Sequence, residues 1–451
     1  MKTFHAGFAK ANINPDLGMP ICGYYIPRFA KGFLDDLEVR ALALSLEETQ
    51  VLIISLDQCY TEAKLATRIR KAVEAATGVP AENVFLSCTH SHTTPCIHPN
   101  ETEEFRSQVE TYVDFLCRRI ADASVMALAD RKPARMGFIQ GWAPERVAYI
   151  RRYKMKDGTT MTCPPVGDPN IDHPIGTLDQ RVHVLRFDRE GGESVVLVNY
   201  GVHADTINGE LISSDFPGWM RRTLEAALDG VQCMFIPGAQ GDVGSTHVFP
   251  EGGDMNDTEI SFDNEMKSPG MARFVGRALA GTVLQVYDKV EYIPVDKLQI
   301  LNKTITVPAN VPKPEDMPLA HKYNDLHNAG RDDLIPYEAM ELTTVVAEAA
   351  RMCRLEHGPY SFDLTLIGLR IGEVALVGIP GEPFSETGKQ IKAIGGWKAI
   401  IPCALVNGSQ GYFPVKEAFD EGGYEARSTD YTSGVAETLV AGARELLNEL
   451  K

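Results

Sequence analysis

The sequence predicts an α/β protein in which a large mixed sheet is built from repeated strand-strand-helix-strand units. Three stretches share one design: an apolar strand-like run, a segment with helical periodicity, and a second strand-like run. In each, residues suited to metal binding or acid/base chemistry follow directly after the apolar runs. Ligands in open α/β sheets bind beyond the carboxyl ends of the strands, so we expect one convergent site, as in an enzyme. The stretches are residues 51–58 with 84–95, residues 195–205 with 233–245, and residues 374–384 with 399–413.

Local patterns define the elements of the first half in order. Residues 39–46 and 51–56 are apolar runs that a short polar turn joins into a hairpin. Residues 61–80 and 102–130 repeat apolar positions every three or four residues, which predicts two helices. Gly78 and Pro80 are expected to end the first of them. Residues 151–180 predict a long loop, and loops of that length in compact domains tend to be functional.

The second half continues without a low-complexity linker, so we expect residues 1–451 to form a single catalytic domain. Residues 213–228 predict a helix that begins at a cap among the first three residues and forms the crossover of the second unit. An acidic loop, residues 248–266, follows the predicted site. Residues 296–360 contain a strand, a Pro-rich turn and a helical stretch, which suggests a lid or side lobe. Residues 433–451 predict a closing amphipathic helix.

Composition excludes several classes of function. The net charge is −17 and the basic residues are dispersed, so nucleic acid is not an expected partner. No run approaches the roughly 18 apolar residues of a membrane span, and the N-terminus lacks a signal-peptide core. We therefore expect a cytoplasmic protein with no stable membrane insertion. The nine cysteines are odd in number and form no Cys-x-x-Cys pair, which predicts reduced and mostly buried thiols.

Three histidines and one glutamate are the strongest candidates for a metal site. His90 and His92 are two residues apart after a strand, so both can face one metal or substrate, although two hydrogen-bonded loop histidines would look the same. His203 follows another strand, where a packing role is the alternative. Glu382 follows the Gly381 bend, where a carboxylate is costly unless it is solvated, paired or metal-bound. Two histidines and a carboxylate form a standard catalytic zinc set, which iron or manganese would also accept.

Further polar residues stand near the same predicted edge. Asp57 ends a strand of the first unit. Asp242 lies in a glycine-rich turn, where it would accept a proton, orient a ligating histidine or cap the turn. Tyr412 would donate to an oxyanion, bind the metal or stack at a pocket rim. Arg151 and Arg152 would bind a polar or carboxylate end of the substrate, or be solvated at the surface.

Six motifs occur in the order that the neutral/alkaline ceramidase family shows, and the chain resembles the catalytic domain of that family over essentially its whole length. They are AGFAKANINP, THSHTTP, GVHAD with ISSD, GAQGDVGS, PGEPFSETG, and NGSQGYFP with GGYEA. Members of the family are zinc-dependent amidohydrolases. The resemblance implies one zinc ion per chain, with His92 facing the substrate and assisting catalysis. It also implies that the zinc is held by His90, His203, Glu382 and Tyr412.

Two departures from the family pattern affect what the resemblance implies. The family has Gly-Asp-Val-Ser around a catalytic serine, whereas Gly244 stands at the serine position here and Ser245 lies one residue late. Because Ser245 does not occupy the position of the catalytic serine, we expect it to take part in substrate binding. The immunoglobulin-like C-terminal domain of the ceramidases is not expected, because the chain ends after the catalytic portion.

These features predict a zinc-dependent hydrolase that cleaves an amide (N-acyl) bond of a small soluble substrate through metal-activated water. His92, Asp242 and Tyr412 are the expected catalytic residues. Ceramide fits less well than the reaction class, because no membrane-docking sequence is evident. Two alternatives are a metal-dependent esterase or phosphoesterase on the same site, and a non-catalytic binding protein that retains the fold.

Overall fold

The computed structural model describes residues 3–97, 103–249 and 267–451. The helices in this part of the chain are α1 (Ala63–Thr77), α2 (Glu103–Ala129), α3 (Asp215–Ala227), α4 (Pro269–Val286), α5 (Met317–Asn328), α6 (Ala339–Leu355), α7 (Ser385–Lys392), α8 (Lys416–Glu421), α9 (Tyr424–Ser428) and α10 (Val435–Glu449). The strands are β1 (Phe4–Asn12), β2 (Gly32–Phe33), β3 (Glu38–Leu46), β4 (Thr49–Leu56), β5 (Val84–Cys88), β6 (Lys132–Trp142), β7 (Tyr149–Ile150), β8 (Arg152–Met155), β9 (Thr160–Thr162), β10 (Ile171–Pro174), β11 (Arg181–Arg189), β12 (Ser194–Tyr200), β13 (Leu211–Ile212), β14 (Val231–Pro237), β15 (Val243–Gly244), β16 (Glu291–Ile293), β17 (Leu298–Pro308), β18 (Ser361–Ile371), β19 (Val374–Gly378), β20 (Glu382–Pro383), β21 (Ala399–Cys403) and β22 (Tyr412–Phe413).

Two sheets carry most of these strands. The larger, mixed sheet has the order β14-β12-β11-β6-β1-β3-β4-β5, with β16 paired to β6 as its ninth strand. The smaller sheet has the order β17-β18-β19-β21. Short pairs, β2 with β13, β7 with β15 and β20 with β22, lie outside both. This architecture confirms the predicted α/β class with a large mixed sheet.

The three predicted units have the same topology. In each, the first two strands are antiparallel, and the strand after the helix pairs parallel to the second strand. The carboxyl ends of parallel neighbouring strands lie on the same side of a sheet. Each unit therefore places the residues that follow two of its strands at one edge. The units are β3-β4-α1-β5, β11-β12-α3-β14 and β18-β19-α7-β21.

The two sheets pack against each other, and helices cover their outer faces. Alternation along β4 shows how the sequence specifies this arrangement. Val51 and Ile53 enter a core shared with Leu376 of the smaller sheet. Leu52 and Ile54 enter a second core with residues of α1 and α2. Strands that are buried on both faces need continuous apolar runs. Such runs are easily recognised, which explains why the sequence predicted these strands.

Local differences from the expected elements have simple causes. Residues 151–180, predicted as a loop, contain the three-stranded antiparallel sheet β10-β8-β9. Strands of three or four residues with charged side chains show no apolar alternation, so the pattern missed them. Residues 296–360 divide between β17, which belongs to the smaller sheet, and the helix pair α5 and α6. Most of the acidic loop 248–266 lies outside the described residues.

The remaining predictions concern thiols and membrane spans. The nine cysteines are free, and seven are buried, with Cys163 exposed and Cys353 half-buried. The prediction that most of the cysteines are buried is therefore confirmed. None of the helices in the described ranges is long and apolar enough to cross a membrane.

Candidate metal centre

Three side chains from three different units meet at the edge where the parallel strands end. His90 follows β5, His203 follows β12, and Glu382 opens β20 after β19. The Oε2 atom of Glu382 lies 3.2 Å from Nε2 of His90 and 3.0 Å from Nε2 of His203. All three side chains are buried, at 3%, 1% and 6% exposure for His90, His203 and Glu382. The cluster therefore has the composition and spacing of a metal site.

Backbone carbonyls fix the orientation of both imidazoles. Nδ1 of His203 lies 2.9 Å from the carbonyl oxygen of Val243, and Nδ1 of His90 lies 2.8 Å from that of Cys59. A carbonyl only accepts hydrogen bonds, so each Nδ1 carries a proton, and the neutral form of each ring presents its Nε2 lone pair toward Glu382. Nε2 of His203 and Oε2 of Glu382 are buried and have no hydrogen-bond partner among the described residues. Lone pairs that face each other in this way fit a cation bound between them.

The electrostatics of the cluster favour a neutral His203 and an ionised Glu382, the forms that bind a metal ion. Burial lowers the pKa of His203 to about 4, which keeps its imidazole neutral. Burial alone would raise the pKa of Glu382, but the adjacent His90 and His203 outweigh that effect and hold its pKa well below the usual range. Burial would likewise lower the pKa of His90, and the carboxylate of Glu382 raises it instead. A bound divalent ion would therefore take the place of the proton that Glu382 favours on His90, as ligands release protons when they bind metal.

His92 lies beside this cluster. Its Nε2 atom is 3.3 Å from Nε2 of His90, and the two rings are nearly perpendicular. Among the described residues, a ligand atom of His92 lies within 4.8 Å of those of His90 and Cys59, which form a second possible metal-binding set. His92 does not group within that distance with the set of His90, His203 and Glu382. Two ligands at about 2.1 Å from one ion cannot be more than about 4.2 Å apart. The arrangement therefore favours His92 as a neighbour of the metal ligands.

Tyr412 is positioned by pairing with the strand that carries Glu382. β20 and β22 are parallel, and Tyr412 is in register with Glu382. The guanidinium of Arg151 lies 5.4 Å from the centre of the Tyr412 ring and donates to the buried Glu425 at 2.7 Å. Burial, followed by the charge of Glu382, raises the pKa of Tyr412 well above its usual value. Without a bound cation the phenol is thus a neutral hydrogen-bond donor.

Other candidate residues have their polar atoms engaged elsewhere. Arg152 is buried and donates to Glu421 and to the carbonyl of Gly422. The carboxylate of Asp242 accepts from the backbone and hydroxyl of Ser385, at 2.6 and 2.9 Å, where α7 begins.

Two further candidates are also buried. Asp57 is fully buried and forms a bidentate ion pair with Arg221. Ser245 is buried just after β15. The structure therefore brings together His90, His203 and Glu382, with His92 and Tyr412 next to them, and uses Asp57 and Asp242 in contacts that tie elements together.

A polar group on the far side of His92 was not foreseen from the sequence. Tyr24 donates to Oδ1 of Asp205, and Lys267 donates to Oδ2 of Asp205 at 2.6 Å and to the Tyr24 hydroxyl at 2.8 Å. Oδ1 of Asp205 lies 3.8 Å from Nδ1 of His92. Asp205 could have been found, because it stands two residues after His203 in the segment that follows an apolar strand. Tyr24 and Lys267 are distant in sequence and carry no such signal.

Comparison with solved structures identifies the fold. The neutral ceramidase from Pseudomonas aeruginosa matches with a TM-score of 0.71 at 17% sequence identity, covering 100% of this chain and 75% of that chain. A structure described as a ceramidase complexed with C2 matches with a TM-score of 0.70 at 17% identity, covering 100% of this chain and 76% of its own. No family model and no curated protein sequence matches the chain. The chain thus has the neutral ceramidase fold, which confirms the resemblance inferred from its motifs.

Proposed function

We propose that this protein is a zinc-dependent hydrolase that cleaves an amide (N-acyl) bond of a small soluble molecule in the cytoplasm. One observation carries the proposal: the Nε2 atoms of two buried imidazoles, His90 and His203, lie 3.2 and 3.0 Å from one buried carboxylate oxygen of Glu382. The shared fold supports the reaction class, since ceramidases hydrolyse an amide bond. An ion held by two histidines and a glutamate keeps coordination positions open, as in catalytic rather than structural zinc sites.

His90, His203 and Glu382 would hold one zinc ion per chain, with Tyr412 next to Glu382 as a further ligand or donor. When bound, zinc polarises a carbonyl oxygen and lowers the pKa of a water to about 7. Cys59 and Val243 supply the carbonyls that keep both imidazoles in the ligating tautomer. Their backbone positions are part of the site, because a rotated imidazole would not present its lone pair.

His92 and Tyr412 are the residues that we assign to the reacting groups. His92 lies next to His90 and has an Nδ1 atom with no hydrogen-bond partner among the described residues, so it is placed to hold or move a proton. The Tyr412 hydroxyl, neutral in the unliganded site, would donate to an oxygen that gains negative charge. Arg151 positions the Tyr412 ring and is itself held by Glu425.

Asp242, Arg152 and Ser245 receive supporting roles. The Asp242 carboxylate binds the start of α7, directly after the segment that carries Glu382, so it positions that ligand. Arg152 is buried against Glu421, which leaves substrate binding to other groups. Ser245 is buried one residue beyond the serine position of the family, and we assign it to the wall of the site.

Metal analysis and a matched substrate panel test the proposal together. Purified protein is expected to contain about one zinc ion per chain and to cleave N-acyl amides faster than esters or phosphoesters of the same alcohol or amine skeleton. His203→Ala should lose both metal and activity. The control is His183→Ala, which removes another buried histidine, on β11, that does not contact the cluster.

Each alternative gives a different result. Protein without bound metal that shows no hydrolysis would indicate a binding protein with this fold. Metal-dependent cleavage of esters or phosphoesters alone would retain the site and reject the amide. Loss of metal from His183→Ala to the same extent as from His203→Ala would show that the loss reflects general destabilisation.

A further inference from the structure

Lys267 and its two partners form a charged group next to His92, on the side of its ring away from His90. Asp205 accepts from Tyr24 through Oδ1 and from Lys267 through Oδ2, and Lys267 also donates to the Tyr24 hydroxyl. The three residues come from the loop after β1, the segment after His203 and the approach to α4. Such a closed set is held by charge-assisted hydrogen bonds and so has a defined geometry.

The set lies one imidazole ring away from the metal ligands. The Tyr24 ring contacts the His92 ring edge-on, with centroids 5.7 Å apart. Gly23 lies against the same ring, because a Cβ atom built on it would be 2.7 Å from the imidazole. His92 in turn lies 3.3 Å from His90. The set therefore lies directly beside His92, which we assign to the reacting groups.

The group formed by Tyr24, Asp205 and Lys267 can offer a ligand a hydrogen-bond donor, the ammonium of Lys267. Both oxygens of Asp205 already accept hydrogen bonds. An ammonium has three donors, and within the described residues Tyr24 and Asp205 take two of those of Lys267. Arg28 adds a second positive charge, since its guanidinium lies 4.1 Å from the Tyr24 ring centre and Lys267 lies 4.8 Å from it. Arg28 already donates to the carbonyls of Gly209, Cys22 and His92, so the donor left for an anionic ligand group is the ammonium of Lys267. An apolar chain at this place would remove water from an ion pair without replacing its hydrogen bonds.

Neither arginine singled out by the sequence offers an equivalent group. Arg151 is committed to Glu425 and to the carbonyl of Gly241, and Arg152 to Glu421 and Gly422. The Lys267 side chain is 20% exposed and the Asp205 side chain 17%, so Lys267 has part of its surface open to solvent.

We propose that Tyr24, Asp205 and Lys267 form a carboxylate-binding subsite, and that the substrate is an N-acylated amine that carries a carboxylate, as N-acyl amino acids do. This inference rests on the proposed function for the reaction and adds the substrate class. Lys267 is the specificity-determining residue. Asp205 and Tyr24 position its ammonium.

Pairs of compounds that differ only in charge test the subsite. N-acetyl amino acids and their C-terminal carboxamides, over a panel of side chains, present a carboxylate or a neutral group at one position. The wild-type protein should hydrolyse the carboxylates with kcat/KM at least about tenfold higher. Lys267→Met should abolish that preference through a higher KM for the carboxylates, and Lys267→Arg should retain it.

Lys303→Met is the matched control. Its side chain is also 20% exposed and paired with carboxylates, those of Glu445 and Glu449, but it lies on β17 away from the site. Equal rates for carboxylates and carboxamides in the wild type would overturn the subsite, and so would cleavage confined to amides without a carboxylate. Equal effects of Lys267→Met and Lys303→Met would also overturn it.

A binding measurement separates this inference from the proposed function. If no amide is cleaved, the proposed function fails, and the subsite is judged by thermal unfolding in the presence of the same compounds. The carboxylates, and not the carboxamides, should raise the midpoint for the wild type and for Lys303→Met but not for Lys267→Met. Absence of this carboxylate-dependent shift in the wild type would reject the subsite independently of hydrolysis.

Discussion

Each of the three candidate metal ligands is oriented by a further contact outside the cluster. The contact is made either by the side chain itself or by the segment that carries it. His90 and His203 depend on the carbonyls of Cys59 and Val243. Glu382 depends on the backbone pairing of its short strand with Tyr412 and on the capture of Ser385 by Asp242. The geometry of the ligands is therefore set by backbone carbonyls and by residues that contact the ligands. Loss of such a contact typically lowers metal affinity by about 10- to 100-fold.

Asp215 shows how a single buried carboxylate organises the loop after His203. It adopts a positive φ of 56° at the start of α3. Its Oδ2 atom accepts from the backbone of Thr206 at 3.0 Å and of Ile207 at 3.3 Å. Burial raises the pKa of Asp215 to about 7, and the hydrogen bonds from Thr206 offset only part of this effect. The charged form is thus costly in the folded state.

The raised pKa of Asp215 predicts a pH-dependent stability. Its folded value of about 7 lies above the unfolded value of about 3.9, so its contribution is fully present below pH 4 and is lost as pH rises toward 7. Asp215→Asn cannot ionise, and its amide nitrogen cannot accept from Thr206, so the variant should be less stable by about 1–3 kcal/mol near pH 4.5. The deficit should shrink toward pH 7.5 in urea unfolding.

Asp157 provides the control for that measurement. It is exposed, and the hydrogen bonds from Thr159 lower its pKa, so Asp157→Asn should leave the slope between pH 4.5 and 7.5 unchanged. A stability difference between Asp215→Asn and wild type that stays constant over this range would contradict the assignment of the slope to Asp215.

At the scale of elements, a buried ion pair connects α3 to the strand ends of the first unit. Arg221 donates to both oxygens of Asp57 at 2.8 and 2.6 Å. Asp57 also accepts from the backbone of Glu38 and from Thr89, next to His90. This pair therefore joins the second unit to the first directly behind the ligand cluster.

Arg221→Met is expected to lower the free energy of unfolding by about 3–5 kcal/mol, because it leaves the Asp57 carboxylate buried without its counterion. Adding Asp57→Asn should recover part of the loss, since the carboxamide oxygen still accepts from Glu38. Arg222→Met removes an exposed pair with Asp35 from the same helix and should cost less than about 1 kcal/mol. Equal losses for Arg221→Met and Arg222→Met in urea unfolding would refute the role of the buried pair.

A close contact between elements holds Glu382 in place. A Cβ atom on Gly241 would lie 2.5 Å from the carbonyl oxygen of Glu382 and 3.1 Å from the Phe384 ring. Gly241→Ala should therefore displace the β20 segment and weaken zinc affinity by about 10- to 100-fold, measured by competition with a chelating dye. Gly281→Ala is the control, because nothing lies within 4 Å of its Cβ position in α4. Unchanged affinity in Gly241→Ala would show that Glu382 tolerates the shift.

The elements also show what the sequence could and could not predict. Long apolar runs and helical periodicity predicted the three units, because strands buried on both faces leave a continuous signal. Residues directly after those strands predicted His90, His203 and Glu382. The same rule selected Asp57, whose side chain instead faces Arg221, since position at a strand end does not determine the direction of a side chain. Tyr24 and Lys267 depend on the path of long loops, which no local pattern encodes.

At the scale of the whole molecule, the candidate metal ligands join the three units. His90, His203 and Glu382 each belong to a different one, and both sheets contribute. A bound ion therefore stabilises the folded arrangement of the entire chain rather than one segment. Binding to the folded state alone contributes about 2.7 kcal/mol when the free ion is at 100 times its Kd.

Removal of the ion is expected to lower the thermal midpoint of the whole protein in a single transition, by roughly 3–4 °C for a chain of this length. Added zinc should restore the midpoint. His203→Ala should have a midpoint that chelator does not change further. A chelator-insensitive wild type would indicate that the folded chain does not bind the ion.

Anomalous diffraction at the zinc edge tests the central claim most directly. We predict one strong peak per chain, within about 2.0–2.3 Å of Nε2 of His90, Nε2 of His203 and the Glu382 carboxylate. The second cluster of ligand atoms, at Cys59, His90 and His92, offers a different position for the ion. A peak held by Cys59 and His92, or no peak between the two histidines and Glu382, would contradict the account.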